Sequence, residues 1–294
     1  MNPPTPTKAV FGDYLELTKP RLSLLSVLTA LVGYAAARPP WLPIEFASLV
    51  IGTCLAAGGV AALNQWLEVE TDARMRRTAD RPIPTGKIPT GSAFVLGALL
   101  CCASLAIFFI KVNGMATIFT LLTMVSYVGW YTPAKRNSIW ATEIGALAGA
   151  FPPLIGWSAA QGGVSTLGWI LFVMMVFWQI PHFMAIAWTY RKDYATVNFP
   201  MLSVRDEKGG WVAGWSFVCT LLLLIVSVIP AFIGLTSFYY GGVAALSGLW
   251  FLGRAVAFLR PATREKAARR LFFASIIYLP ITLVALVIDR VLFF

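Results

Sequence analysis

Long stretches of apolar residues alternate with short polar connections along almost the whole chain. A helix needs about 20 mostly apolar residues to cross ~30 Å of hydrocarbon, so this pattern predicts a polytopic membrane protein. Nine such stretches are present. Their predicted limits are Leu22 to Ala37, Ile44 to Asn64, Ser92 to Ile110, Met115 to Tyr131, Ala141 to Ala160, Gly168 to Tyr190, Trp211 to Gly234, Phe238 to Leu259 and Leu271 to Leu292. The predicted fold class is therefore an all-α bundle of nine transmembrane helices.

Composition and charge support this prediction and orient it. Hydrophobic residues make up 58% of the 294 positions and charged residues 12%, and the mean hydropathy is +0.74, values that are unusual for a soluble domain. All Lys and Arg residues except Arg38, Lys111 and Arg290 lie in the N-terminal segment or beside the connections after the even-numbered spans. Because such residues accumulate in cytoplasmic loops, we expect the N-terminus to be cytoplasmic and the C-terminus to be outside.

The net charge of +10 does not predict a nucleic-acid partner, because topology and the anionic lipids of the bilayer explain these cations. Two connections, residues 65–91 and 191–210, are long and carry acids and bases together. Their recurrence indicates two four-helix halves followed by a ninth helix. We treat residues 1–294 as one transmembrane domain, with residues 1–20 as a cytoplasmic segment. Met1 to Thr7 shows no signal or transit pattern, which favours a bacterial inner membrane.

A row of oxygen-bearing side chains runs from the end of the second span into its loop. Asn64, Glu68 and Asp72 recur every four positions, so on a continuing helix they occupy one face, whereas Glu70 points away. Hard oxygen ligands at a membrane surface suit Mg²⁺, which completes its shell with water and substrate phosphate. The alternative is a charged helix end that only caps the span. We favour the metal because ionisable groups beside an apolar run are costly and usually functional.

Cations follow this row, and guanidinium groups bind phosphate in a bidentate manner. Arg77 and Arg81 are four residues apart and could share a face, so we predict that both contact phosphate, whereas Arg74 and Arg76 only set the topology. Lys135 and Arg136, in the turn after the fourth span, offer a second phosphate clamp. Their position is also explained by the positive-inside bias alone.

The sixth span contains the only histidine of the chain, His182, one residue after Pro181. A lone histidine within the membrane can be a haem ligand, a proton-transfer group or a hydrogen-bonded packing residue, and the sequence does not choose among these roles. Asp193, in the loop that follows, is the natural second carboxylate and is expected to face the first across the bundle. The acids and cations together predict a metal-diphosphate site at the mouth of an apolar cavity, suited to a lipid-tailed diphosphate.

Motifs over nearly the whole chain carry a family resemblance. They are Asp13-Tyr14-Leu15, Leu17-Thr18-Lys19-Pro20-Arg21, Asn64-Gln65-Trp66 with Glu68 and Asp72, Met75 with Arg77-Thr78 and Arg81-Pro82, Tyr131-Thr132 with Lys135-Arg136, Pro152-Pro153-Leu154-Ile155-Gly156-Trp157, Trp178-Gln179 with Pro181-His182-Phe183, and Asp193-Tyr194 with Pro200-Met201-Leu202. On these motifs the chain resembles the UbiA-type intramembrane prenyltransferases, and among them the protohaem IX farnesyltransferases, or haem O synthases.

The resemblance implies transfer of a farnesyl group from farnesyl diphosphate to a vinyl group of haem B, giving haem O. Haem B is then a substrate, and Mg²⁺ is the cofactor. The implied metal ligands are Asn64, Glu68, Asp72 and Asp193. The implied diphosphate ligands are Arg77, Arg81, Lys135 and Arg136, and the expected catalytic residues are Asp72, Asp193 and Lys135.

A haem A synthase is the downstream partner that this resemblance suggests. Two alternatives stay open at this point. One is a prenyltransferase for an aromatic quinone or chlorophyll precursor, and the other is a secondary transporter of an anionic solute.

Overall fold

A computed structural model describes residues 9–40 and 42–294, and every regular element in this part of the chain is a helix. The α-helices are α1 Phe11–Leu17, α2 Pro20–Ala37, α3 Pro43–Leu67, α4 Val69–Asp72, α5 Thr90–Lys111, α6 Gly114–Met124, α7 Thr132–Asn137, α8 Ala141–Gly149, α9 Pro152–Gln161, α10 Thr166–Thr189, α11 Arg191–Ala195, α12 Leu202–Arg205, α13 Gly210–Phe232, α14 Phe238–Leu259 and α15 Arg264–Phe293. A π-helix, Val125–Tyr131, joins α6 to α7, and a 3-10 turn, Pro261–Thr263, precedes α15. The prediction of an all-α fold is confirmed.

Eight helical segments within the described ranges are long and apolar enough to cross a membrane. They are Pro20–Ala37, Pro43–Leu67, Thr90–Lys111, Gly114–Asn137, Thr166–Thr189, Gly210–Phe232, Phe238–Leu259 and Pro261–Phe293. Eight of the nine predicted spans fall on these segments, with ends that differ by a few residues. The last segment differs most, because its helix begins well before the predicted Leu271.

The fifth predicted span, Ala141 to Ala160, is two short helices rather than one. α8 ends at Gly149, and α9 begins at Pro152. Pro152 and Pro153 have no backbone N–H, so neither can donate to the carbonyl groups of the last turn of α8. The apolar run therefore continues across the break while the helix does not.

Small residues bring α2 and α9 into backbone contact. A Cβ added at Gly33 would overlap the carbonyl group of Pro153, and one added at Gly156 would overlap the carbonyl oxygen of Ala30. Glycine at both positions thus lets the two helices approach more closely than any larger residue would. This contact holds α9 beside α2, where both border the cavity described below.

The two mixed-charge loops pack against each other instead of extending into solvent. Met75, Ile83 and Ile88 are buried, which anchors the loop between α4 and α5. The backbone N–H of Arg77 in this loop donates to Asp193 Oδ2 on α11 at 3.3 Å. The ends of the second and sixth predicted spans are therefore linked at one side of the bundle.

Candidate functional site at the carboxyl end of α3

The acidic row lies buried at the carboxyl end of α3. Asn64, Glu68 and Asp72 are 2%, 4% and 1% exposed. The helix is interrupted at Glu68, but the Asp72 N–H still donates to the Glu68 carbonyl at 2.7 Å, so the row stays in register. Asn64 Nδ2 donates to Glu68 Oε2 at 2.9 Å. Glu70 is exposed, as predicted.

Glu68 is paired with Lys135, which comes from α7. Lys135 Nζ donates to Glu68 Oε1 at 2.8 Å and lies 4.5 Å from the centre of the Tyr131 ring. Burial by itself would raise the pKa of Glu68, but the charges of Lys135 and Lys19 and the Asn64 amide outweigh it and lower the pKa. Glu68 is therefore ionised, and Lys135 is held at the site by a charge-assisted hydrogen bond.

The π-helix before α7 sets the direction of this lysine. Its last turn is closed by Thr132, whose N–H and Oγ1 both donate to the Tyr127 carbonyl. Thr132 Oγ1 also accepts from Asn64 Nδ2 at 3.2 Å. Since π-helical turns are frequent at functional sites, this irregularity agrees with a site at this position.

Asp72 has one paired oxygen and one free one. Arg81 Nη1 donates to Asp72 Oδ2 at 2.5 Å, and Thr78 Oγ1 donates to the Asp72 carbonyl at 2.9 Å. Asp72 Oδ1 is buried and has no hydrogen-bond partner among the residues described. Burial, partly offset by Arg81, raises the pKa of this carboxyl. A buried acceptor without a partner is rare and costly, so Oδ1 is available to a cation or to a donor on a ligand.

Lys19 belongs to the site, although the sequence reasoning placed it only in a family motif. Its backbone is left-handed, with φ of 47°, and its Nζ donates to Asn64 Oδ1 at 3.1 Å. Burial, helped by the nearby cations Arg81 and Lys135, lowers the pKa of Lys19 to about 7. A cation directly before Pro20, the first residue of a span, was the available signal.

Asp193 meets the first loop through Arg77. This carboxylate is partly buried on α11 and accepts the Arg77 N–H described above. The Arg77 guanidinium donates to Tyr194 Oη at 3.1 Å and lies 5.1 Å from the centre of the Tyr190 ring. Across residues 9–40 and 42–294, no three carboxylate, histidine or cysteine side chains are grouped closely enough to hold a metal ion alone.

The other predicted phosphate ligands divide into two groups. Arg81 and Lys135 point into the acidic row. Arg136 is exposed, and its guanidinium donates to the Leu67 carbonyl at 2.7 Å, which satisfies a free carbonyl at the end of α3. Arg74 and Arg76 are exposed, in agreement with a topological role.

His182 lies away from this cluster, between α10 and α15. Its ring stacks between Trp178 and Phe272, with centroid distances of 4.9 and 5.0 Å. Nδ1 is 2.7 Å from Ser275 Oγ. These are the contacts of a hydrogen-bonded packing residue.

An apolar cavity of about 130 Å³ opens beneath Lys19. Its walls come from α2, α3, α6, the π-helix, α8 and α9 and consist mainly of small and apolar side chains, including Ala57, Val60 and Ile155. Tyr127 of the π-helix and Gly149 at the end of α8 also border it. Lys19 is the only charged residue among the described residues of this lining, and its hydrogen bond to Asn64 joins the cavity to the acidic row. A charged cluster thus adjoins a chamber whose interior is apolar, an arrangement that suits an amphiphile with an anionic head.

Comparison with known proteins agrees with this geometry. The family model described as "UbiA prenyltransferase family" matches residues 26–277. A protein of Opitutus terrae named "Protoheme IX farnesyltransferase" is 66% identical over 284 residues, covering 97% of this chain and 96% of that protein. A protein of Solibacter usitatus with the same name is 39% identical over 95% of this chain and 98% of its own length.

Solved structures show the same fold at low sequence identity. A digeranylgeranylglyceryl phosphate synthase structure superposes with a TM-score of 0.81 at 16% identity, over 95% of this chain and 98% of that one. A UbiA homolog from Archaeoglobus fulgidus, bound to GPP and Mg²⁺, gives a TM-score of 0.68 at 13% identity, over 93% and 99% of the two chains. At these identities, the likeness establishes the architecture alone.

Proposed function

This chain belongs to the UbiA prenyltransferase family and, within it, to the protoheme IX farnesyltransferases, and from that premise we propose that it transfers a farnesyl group from farnesyl diphosphate to a vinyl group of haem B. The products are haem O and diphosphate. The observation that carries the proposal is the set of buried polar and charged residues Asn64, Glu68 and Asp72, which Lys19 joins to an apolar cavity by lining that cavity and donating to Asn64. A prenyl diphosphate has the matching polarity, with an anionic head and an apolar tail.

Cations of the chain hold the diphosphate and stabilise it as it leaves. Negative charge grows on the leaving oxygen when the allylic C–O bond breaks, and donors already in place lower the free energy of that transition state. Lys19, Arg81 and Lys135 face the same acidic row. Arg77 lies at the junction of the two loops, and Arg136 lies at the end of α3. From these positions each makes a smaller contribution to binding the diphosphate.

The cavity then protects the allylic cation until the vinyl group captures it. Apolar walls exclude water from the reacting carbon, and the ring of Tyr127 at the cavity wall offers a π face to a cation. A new C–C bond forms between the farnesyl carbon and the vinyl terminus. Water adds to the neighbouring carbon and loses a proton, which gives the hydroxyethylfarnesyl group.

Mg²⁺ fits the donors that the row presents. Asp72 Oδ1 is a buried carboxylate oxygen without a partner, and such oxygens are the usual protein ligands of Mg²⁺, with substrate phosphate and water completing the shell. Asn64, Glu68, Asp72 and Asp193 are the residues that would hold the ion. When bound, it would supply positive charge to the diphosphate. Because no three carboxylate, histidine or cysteine side chains are grouped in the described part of the chain, we infer that the substrate must provide part of the coordination.

In the membrane, we propose nine crossings, with the N-terminus in the cytoplasm and the C-terminus outside. α8 and α9 together form the fifth crossing, the first of the second four-helix half, α15 is the ninth, and the catalytic loops face the cytoplasm. Bacterial relatives support placement in the inner membrane. A haem A synthase is the partner that would receive the haem O.

The experiment that tests this function is expression in a bacterial host that makes no haem O, followed by pigment extraction and measurement of the haem mass. We expect a mass equal to haem B plus one farnesyl group and one hydroxyl group, the elements of farnesol. Purified protein supplied with farnesyl diphosphate, Mg²⁺ and either haem B or an aromatic quinone precursor then identifies the acceptor. Prenylation of the quinone precursor alone, or flux of an anion across vesicles without a covalent product, would overturn the proposal.

A further inference from the structure

One side chain that borders the cavity also belongs to the core cluster beneath it. Among the described residues, Ile155 of α9 is the only one that both borders the cavity and belongs to the buried cluster containing Leu49, Phe119 and Leu154. Ile155 is 2% exposed. We propose that Ile155 is the end wall that limits the prenyl chain to three isoprene units, a specificity role that rests on the proposed function.

Two helices give the depth of the chamber independently. Thr53, a deep wall residue of α3, lies eleven positions before Asn64, which at 1.5 Å per residue places it about 16 Å below the site. On α2, Ala30 contacts Gly156 beside Ile155 and lies eleven positions after Lys19. The same rise gives the same depth of about 16 Å.

This depth lies between the lengths of a farnesyl chain and a geranylgeranyl chain. A polypeptide covers at most about 3.5 Å for every three backbone bonds, so an extended carbon chain advances roughly 1.2 Å per bond. A farnesyl chain with about eleven main-chain bonds is then about 13 Å long, and a geranylgeranyl chain with about fifteen is about 18 Å long. By length, a farnesyl chain ends above Ile155, whereas a chain with one further isoprene unit would reach past it.

The wall is rigid because the helices that carry it touch through their backbones. Gly33 and Gly156 leave no space between α2 and α9, and the neighbours beneath Ile155, Leu49 and Leu154, are fully buried. Close-packed interiors resist small displacements, so a longer chain cannot push the floor aside. Selectivity therefore depends on the volume of the Ile155 side chain.

The test is a competition among geranyl, farnesyl and geranylgeranyl diphosphates, supplied together to the purified full chain with Mg²⁺ and haem B, with each prenylated haem quantified by mass. Ile155→Ala opens the floor, so the ratio of geranylgeranyl to farnesyl product is expected to rise at least tenfold. Ile155→Phe raises the floor, so the ratio of geranyl to farnesyl product is expected to rise. Leu154→Ala is the matched control, since Leu154 shares the cluster but does not border the cavity.

Equal product ratios in wild-type protein and in both Ile155 variants, each with an intact melting transition, would overturn this inference. A shift of the same size in Leu154→Ala would also overturn it, because general loosening of the core would then explain the effect. If Ile155→Ala does not fold, Ile155→Val must give a smaller shift in the same direction. Failure of the proposed function is distinct, since wild-type protein would then prenylate no haem with any donor.

Discussion

Asp72 carries the strongest single prediction because one of its buried oxygens has no partner. Asp72→Asn keeps the shape of the side chain and removes its charge. We expect kcat/KM for farnesyl transfer to fall by at least about 10²-fold, the usual loss when one preorganised electrostatic group is removed. Steady-state haem O formation in proteoliposomes measures it, and Asp193→Ala is expected to abolish haem O formation as well.

Glu70→Gln is the control for Asp72, because Glu70 lies two residues away and is exposed. Its turnover should equal that of the wild-type protein. All three variants should insert into the membrane at normal levels. Unchanged turnover in Asp72→Asn would show that the acidic row does not form the diphosphate site.

Lys19 makes diphosphate binding depend on pH. Its pKa is lowered to about 7 by burial and by neighbouring cations, so the ammonium form that attracts an anion is lost as pH rises through that value. We expect the affinity of the wild-type protein for inorganic diphosphate to fall between about pH 6 and pH 8.5 relative to Lys19→Arg, whose guanidinium stays charged. Calorimetric titration gives the affinity of both proteins at each pH. The ratio of the two affinities is independent of the ionisation of diphosphate itself, because that ionisation affects both proteins equally. Parallel curves would contradict the assigned role.

The sequence predicted the acidic row of this cluster better than the cations that face it. Asn64, Glu68 and Asp72 follow a four-residue spacing, which is a local signal, and the structure keeps them on one buried face. Lys135 is 67 positions from Glu68, and Arg136 turns to the Leu67 carbonyl instead of the row. Such directions depend on the π-helix and on helix packing, which spacing along the chain does not encode.

Among the helices, α2 and α9 make the closest approach that glycine allows. Gly156→Ala would place a methyl group on the Ala30 carbonyl, and overpacking of this kind costs about 1–3 kcal/mol. We therefore expect a lower melting temperature in detergent. Gly214→Ala on α13 is the control, since a Cβ there meets nothing within 4 Å. Equal melting of both variants would contradict the backbone contact.

The hydrophobic pattern predicted eight of the spans because each is one uninterrupted apolar helix. It did not show the break at Pro152, where the apolar character continues without the helix. It also missed the π-helix Val125–Tyr131, since one extra residue in a turn leaves hydropathy unchanged. Both irregular segments border the cavity. The hydrophobic pattern therefore failed to predict the backbone at the places where it departs from a regular α-helix beside the site.

The molecule as a whole has a topology that one measurement decides. With α8 and α9 counted as a crossing, the chain spans the membrane nine times and ends outside. With only the eight long helices, both termini would share one side. Alkaline phosphatase, which is active only outside the cytoplasm, is therefore expected to be active when fused after Phe294. If the phosphatase fusion is inactive while a green fluorescent protein fused at the same position is fluorescent, the C-terminus is cytoplasmic. That result would contradict nine crossings.

The two distant loops meet in the intact fold through Arg77 and Asp193, and together with α3 we expect them to hold a prenyl diphosphate over the apolar cavity. A crystal structure of the protein with Mg²⁺ and farnesyl thiodiphosphate, an analogue that resists cleavage, would locate both ends of the donor. We predict the diphosphate within hydrogen-bond distance of Lys19, Arg81 and Lys135, with the farnesyl tail ending at Ile155. A diphosphate bound elsewhere, with Asp72 Oδ1 still unpartnered, would show that the acidic row is not the diphosphate site.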